Sequence, residues 1–246
     1  MPHSQRHRGA HPEDGELFAP APVETLQQAV EQAVYLLDHG YAASSVLDVV
    51  GRRHELRVRQ RVALQRCICS SEQRRVRQSK LVPATAVRGK RLAIDGFNLI
   101  ISLEVALSGG VLLRGHDRAI RDLAGLRGTY RPVTETHLAL ELLGRILCGL
   151  APSALDIWLD QPVSNAGRLR GLIVDHAMAW VCPVSVIVAK NPDRELFKRE
   201  CVVTSDSNIL DHVTSWVNLL AFAIQDQIPT AWLVDLSQIS WTPANR

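Results

Sequence analysis

The sequence is poor in aromatic side chains and has no long apolar run. Phe, Trp and Tyr make up 5% of its 246 residues, so leucine, valine and alanine must supply most of any core. No stretch of roughly eighteen or more uncharged apolar residues occurs, which argues against a transmembrane helix and a membrane partner. The opening segment, MPHSQRHRGAHPEDGE, lacks the apolar stretch of a secretory signal, and a cytoplasmic protein is expected. Cysteine is also sparse. Five cysteines are an odd number without paired CxxC spacing, which argues against both a disulfide framework and a structural zinc site. Cys67, Cys69 and His54 lack the remaining ligands of a metal site, and small buried apolar side chains account for the two cysteines better.

What is present is an ordinary globular composition, 46% apolar and 22% charged, long enough for one large domain or two small ones. The net charge of +3 conceals a division. Residues 52–91 hold thirteen Lys or Arg against Glu55 and Glu72, a local excess of eleven, and the rest of the chain is correspondingly acidic. A basic module is joined to an acidic one. Arginines spread along a helix suit a polyanion backbone, and the competing account is a basic face that docks on the acidic half of the same molecule. Arg57, Arg61, Arg66, Arg74 and Arg75 are the candidate RNA contacts in this stretch.

Residues 1–21 are polar without a hydrophobic period and are expected to be a disordered leader. Pro22 opens a helical pattern in which Leu26, Val30, Ala33, Val34 and Leu37 share a face, with Gly40 placed as its left-handed cap. Tyr41–Val50 and about Leu56–Ile68 read as two further helices, giving a small all-helical module over 22–80. A linker is expected at 81–90, where proline, glycine and small residues gather. From residue 91 onwards the pattern changes to short apolar runs (91–95, 155–160, 184–189, 201–206, with 217–220 and 231–236 behind them) separated by helical spacing at 99–107, 135–150, 166–180 and 208–213. Such alternation predicts an α/β domain over 91–246, a mainly parallel sheet covered on both faces in three layers.

Three of those runs end in aspartate: Asp95, Asp160 and Asp206. Strand carboxyl ends share one edge of a parallel sheet, and ligands bind in the crevice above it. Clustered carboxylates raise one another's pKa unless a cation sits between them, and an all-oxygen anionic set favours Mg²⁺ or Mn²⁺. Such an ion suits phosphodiester hydrolysis. The plainer account of any one of these residues is helix capping. Ser164, Asn165 and Gly167 open the helix after Asp160 and suit either phosphate contact or ordinary capping. Arg114, Arg118, Arg121 and Arg127, interleaved with glycines, suit a phosphate-gripping loop, or else a surface salt-bridged to Asp117 and Asp122. His116 is a candidate for proton transfer, and a structural histidine is the commoner case. The tryptophans read as core, Trp241 excepted.

The string Ile94-Asp95-Gly96-Phe97-Asn98-Leu99-Ile100 resembles the opening strand of PIN-like and NYN ribonuclease domains, and Val203-Thr204-Ser205-Asp206-Ser207 resembles their later T-S-D strand. Tyr35–Tyr41 with Ser44 and Ser45, Asp117–Asp122, and Leu159–Gly167 resemble an uncharacterised group in that superfamily, in which a basic helical module precedes a PIN-like domain. The resemblance covers roughly residues 24–240. It implies metal-binding roles for Asp95, Asp160 and Asp206, a neighbouring role for Asn98 and Ser205, and an outer carboxylate at Asp211. The superfamily's remaining acid aligns with no single residue: Asp122 is preferred, with Asp117, Glu104 and Glu135 behind it. The expectation is a divalent-metal-dependent endoribonuclease recruited to RNA by its helical module, with a homodimer possible. Its rivals are a non-catalytic binder of RNA or ribonucleoprotein and a phosphatase or nucleotide hydrolase acting on a small substrate.

Overall fold

The computed structural model describes residues 7–125 and 128–238. Five helices come first: α1 (Asp14–Leu17), α2 (Pro20–Asp38), α3 (Ala43–Arg53), α4 (Val58–Cys67) and α5 (Ser71–Ser79). Along α2, Leu26, Ala29, Val30, Ala33 and Val34 are buried at helical spacing and form one apolar stripe. The helix closes as its glycine predicts. Gly40 has φ +82, its N–H donates to Leu37 O, and Tyr41 N–H donates to Leu36 O, satisfying the last carbonyls. Two helices follow α3: α4, where the third helix is expected, and a further one, α5. Ser70 caps the second by accepting from Gln73 N–H at 3.1 Å, while the Gln73 side chain accepts from Ser70 N–H at 3.0 Å, the reciprocal pairing an S-x-x-Q string encodes.

Residues 7–21 do not form the disordered leader expected of their composition. Leu17 and Phe18 are buried against the helical core, and Asp14, fully buried, is held by the Arg59 guanidinium. A short apolar pair and one buried ion pair fix this segment although it carries no hydrophobic period. The expected linker is also packed: Val82 N–H donates to Trp216 O at 2.8 Å, and Val87 is fully buried.

The second part alternates β1 (Arg91–Asp95), α6 (Gly96–Leu107), β2 (Leu112–Arg114), β3 (Ile120–Asp122), α7 (Glu135–Leu150), β4 (Ala154–Asp160), α8 (Ala166–Ala177), β5 (Val184–Ala189), α9 (Pro192–Leu196), β6 (Val202–Val203), α10 (Ser207–His212), β7 (Trp216–Val217), α11 (Leu219–Gln227) and β8 (Leu233–Asp235). The main sheet is parallel throughout, in the order β5-β4-β1-β6-β7. Its register follows the alternation of side chains. Leu92, Ile94, Leu155, Ile157, Val203 and Val217 face the core shared with α6, α7, α8 and α11. Ala93, Trp158, Val202 and Trp216 face the other way, onto α9 and α10. The sheet is therefore covered on both faces, the three-layer α/β arrangement expected.

The run at 231–236 does not join this sheet. Its β8 pairs parallel with β2, which pairs antiparallel with β3, making a second, three-stranded sheet. Leu112, Ile120 and Leu233 face the main core, whereas Leu113 and Val234 pack among the buried residues of α2, α3 and α4. This small sheet, apolar on both faces, joins the helical module to the α/β part.

Candidate acidic active site

Strand β1 lies at the centre of the main sheet, with β4 on one side and β6 on the other. The helix after β1 covers one face and the helix after β6 covers the opposite face. That reversal opens a crevice at the strand carboxyl ends, where open α/β sheets bind ligands. A cleft of about 180 Å³ occupies it, and Asp95, Asp122, Asp160, Asp193 and Asp206 all line it, together with Asn98 and Arg66.

Asp95 makes no cap to α6. Its Oδ2 accepts from the Thr204 hydroxyl at 2.9 Å, and the same hydroxyl oxygen accepts from Asp206 N–H at 3.0 Å. Asn98 Oδ1 accepts from both the amide and the hydroxyl of Ser205, at 2.9 and 3.0 Å. The D-G-F-N and T-S-D strings, more than a hundred residues apart, are thus knitted into one wall. Gly96 permits this. A Cβ there would lie 2.6 Å from Leu159 Cδ2 and 2.9 Å from Trp158 O, so α6 starts against β4 only because the residue is glycine.

Burial pushes the Asp95 carboxyl up to about 7; the Thr204 hydrogen bond opposes this, and the charges of Asp206, Asp160 and Asp193 add to it. Asp160 is raised by burial and then by Asp193 and Asp206, and Asp193 by burial and then by Asp206. Each carboxyl is a charge the others resist, the situation a cation relieves. Asp206 also serves in the plainer way: its Oδ1 caps α10, accepting from the amides of Asn208 at 2.8 Å and Ile209 at 3.2 Å. Asp122, the preferred extra acid, reaches the cleft from β3, its carboxylate accepting from the Ser102 hydroxyl at 2.7 Å and from Ala124 N–H at 2.8 Å. As the side chains stand, no group of three or more His, Cys, Asp or Glu among the described residues is arranged to hold a metal ion. The donor set nonetheless suits a hard ion that keeps several waters and takes one or two carboxylates, as Mg²⁺ does.

Asp193 was not expected. It lies four residues past the end of β5, in the first turn of α9, where Asn191 caps and Pro192 occupies the first turn. The N-P-D string is a helix start legible in the sequence. Its arrival in the cleft depends on α9 folding back over β1 and β4.

Several expected site residues are held elsewhere. Asp117, almost fully buried, is clamped by Arg121 and Arg77 through bonds of 2.7–2.8 Å; burial would raise its carboxyl, but the two guanidiniums hold it down at about 2. Asp211 pairs with Arg77 at 2.7 Å and carries α10 onto α5. Neither lines the cleft, because each neutralises a buried arginine. Glu104 accepts from Tyr130, Thr136 and Arg8, and Glu135 pairs with His7. Ser164 exchanges backbone hydrogen bonds with the 128–130 segment, and Asn165 Nδ2 donates to Tyr130 O, so the Ser164–Gly167 turn shapes that loop and is not among the cleft's lining. His116 is buried and held down at about 4 by burial and by Arg74, and it does not line the cleft.

The arginines divide in the same manner. Arg57 pairs with Glu13, Arg75 with Glu72 and Arg114 with Asp235, while Arg61 donates to Leu56 O within the module. Arg121 is buried and donates to Ser205 O as well as to Asp117, so it is a strut and not a phosphate contact. Arg127 and Trp241 lie outside the described residues. Of the candidate arginines among the described residues, Arg61, Arg66, Arg74 and Arg118 have no carboxylate partner, and of these Arg66 lines the acidic cleft.

Residues 84–222 match the family model described as "Domain of unknown function (DUF5616)", more than half of the chain. The chain belongs to the DUF5616 family. Residues 25–80 match a second model, "Protein of unknown function (DUF434)", so this DUF5616 protein carries that segment ahead of its α/β part. A relative from Methanocaldococcus jannaschii, "Uncharacterized protein MJ0935", is 32% identical over 203 residues, covering 82% of this chain and 97% of its own length. No solved structure matches. No helix among the described residues is long and apolar enough to cross a membrane.

Proposed function

We propose that this DUF5616 protein is a divalent-metal-dependent endoribonuclease whose active site is the acidic cleft. The observation that carries this reading is the meeting of Asp95, Asp160, Asp193 and Asp206, from separate elements, at the crevice beside the central strand. Three of these carboxyls are raised by burial and by one another. The resemblance of D-G-F-N and T-S-D to PIN-like ribonucleases supports it, and so does Arg66, which lines the cleft and has no carboxylate partner among the described residues.

Asp95 and Asp206, with Asp160 or Asp193, would hold Mg²⁺ or Mn²⁺. When bound, such an ion supplies positive charge opposite a phosphate and makes a water more acidic. Thr204 fixes the Asp95 carboxylate, and Asn98 fixes the segment that carries Asp206. Asp160, raised by burial and then by Asp193, suits acceptance of a proton from water at the cleft. Arg66 orients a non-bridging phosphate oxygen as a two-pronged donor.

Cleavage of a labelled RNA with Mg²⁺, Mn²⁺ or EDTA tests the proposal. Asp95→Asn should lower the metal-dependent rate at least about 100-fold while the circular dichroism spectrum holds. Undiminished cleavage by that variant, or no Mn²⁺ heat in calorimetry of the native protein, would remove the cleft from the chemistry.

A further inference from the structure

We propose that a second cleft, where α5 meets the β2–β3 hairpin and β8, binds the phosphates of a nucleic-acid strand. This cleft, about 580 Å³, is lined by Arg74, Arg114, Arg118, Asp235, Ser237 and Gln238. It shares no lining residue with the acidic cleft.

Its charge is arranged asymmetrically. Arg114 is balanced by Asp235 at 2.8 Å. Arg74 points a guanidinium nitrogen at His116 Nδ1, 3.5 Å away. Arginine can only donate, so Nδ1 accepts and the imidazole is neutral, in keeping with a histidine held down at about 4 by burial and by Arg74. That tautomer leaves the proton on Nε2, which is buried without a partner. Arg74 is therefore oriented without being neutralised. Arg118 is exposed at the hairpin tip with φ +64, a conformation unfavourable for a side chain of this kind. Its backbone is pinned there: its N–H donates to Gly115 O at 2.8 Å, and its carbonyl accepts from Asn218 Nδ2 at 3.1 Å. Two uncompensated guanidiniums, one from the helical module and one from the α/β part, thus face one groove beside a third that is paired. Among the described residues, no aromatic or apolar side chain lines it. The described lining offers phosphate oxygens forked donors and offers a base no stacking surface, so the contact is with the backbone and is indifferent to sequence.

The site deepens the ribonuclease proposal by supplying its strand-binding surface, but binding alone requires no working acidic cleft. The test is fluorescence anisotropy of a labelled single-stranded RNA of about a dozen nucleotides with the full chain in EDTA, over a range of salt concentrations. Arg74→Ala and Arg118→Gly should each weaken binding about tenfold and flatten the salt dependence by nearly one charge. Glycine tolerates the left-handed backbone, so Arg118→Gly removes the side chain without threatening the fold. Asp95→Asn should bind as the native protein does; its loss of cleavage with retained binding separates the two sites. Undiminished RNA binding by the Arg74/Arg118 double variant overturns the inference. Saturation by pyrophosphate with no binding of RNA at the same salt overturns the strand as the source of the phosphate.

Discussion

Asp95 shows what an acidic cleft costs its own fold. Its carboxyl stands at 3.8 in a free chain and is pushed up to about 7 here, by burial first. A folded value above the unfolded one means that stability fully present below 3.8 is lost as pH rises through about 7. Asp95→Asn removes that loss, so its melting temperature should exceed the native protein's at about pH 8 and converge with it near pH 4. Saturating Mg²⁺ should narrow the gap at the higher pH by stabilising only the native protein. A native protein as stable at the alkaline end as the variant would show that the carboxyl is not strained. Arg77 is the opposite case. It binds Asp117 and Asp211 together, and without it the buried Asp117 keeps, among the described residues, Arg121 as its charged partner. Arg77→Ala should destabilise the chain by about 3–5 kcal/mol in urea unfolding, since it strands a buried charge. Arg77→Lys should recover only part, because an ammonium cannot fork between two carboxylates.

At the scale of the element, the start of α6 decides whether the cleft forms. Gly96 lies under Leu159 and against the Trp158 carbonyl, and backbone cannot step aside as a side-chain tip can. Gly96→Ala should cost about 1–3 kcal/mol and weaken Mn²⁺ binding together with cleavage, by shifting Asp95 away from Thr204. A variant with native stability and native metal affinity would mean that α6 tolerates displacement. The short elements were the hardest to read from sequence for a related reason. Strands β6 and β7 have two residues each and α9 five, too few for any period to show. The long periodic helices α2 and α7, by contrast, lie close to where their apolar spacing put them.

At the scale of the whole molecule, the helical module and the α/β part share a core through the small sheet. Leu113 and Val234 pack with Leu26, Val30 and Leu64, while the opposite face of that sheet belongs to the larger core. Calorimetry should therefore show one cooperative transition, and a chain begun at residue 81 should fail to fold by itself, because it leaves Val111, Leu113, Leu123, Val234 and Leu236 uncovered. Two resolved transitions would show that the module is a separate domain.

The sequence by itself determined the class of fold, the parallel strands and the aspartates at the ends of β1 and β4 and three residues past β6, because alternation and the acid closing each apolar run are local properties of the chain. It also carried Gly40 as a helix end and offered, as the preferred among several acids, Asp122, which lines the cleft. Only the tertiary structure decided which charges are left free. Arg121 and Asp117 look like site residues along the chain and are spent on each other, while Asp193 looks like an ordinary helix start and reaches the cleft. The Arg121–Asp117 pair is four residues apart and could be offered along the chain, but Arg77 with Asp117 and Asp211 joins partners forty to a hundred and forty residues away, and that information exists only once the sheet has brought them together.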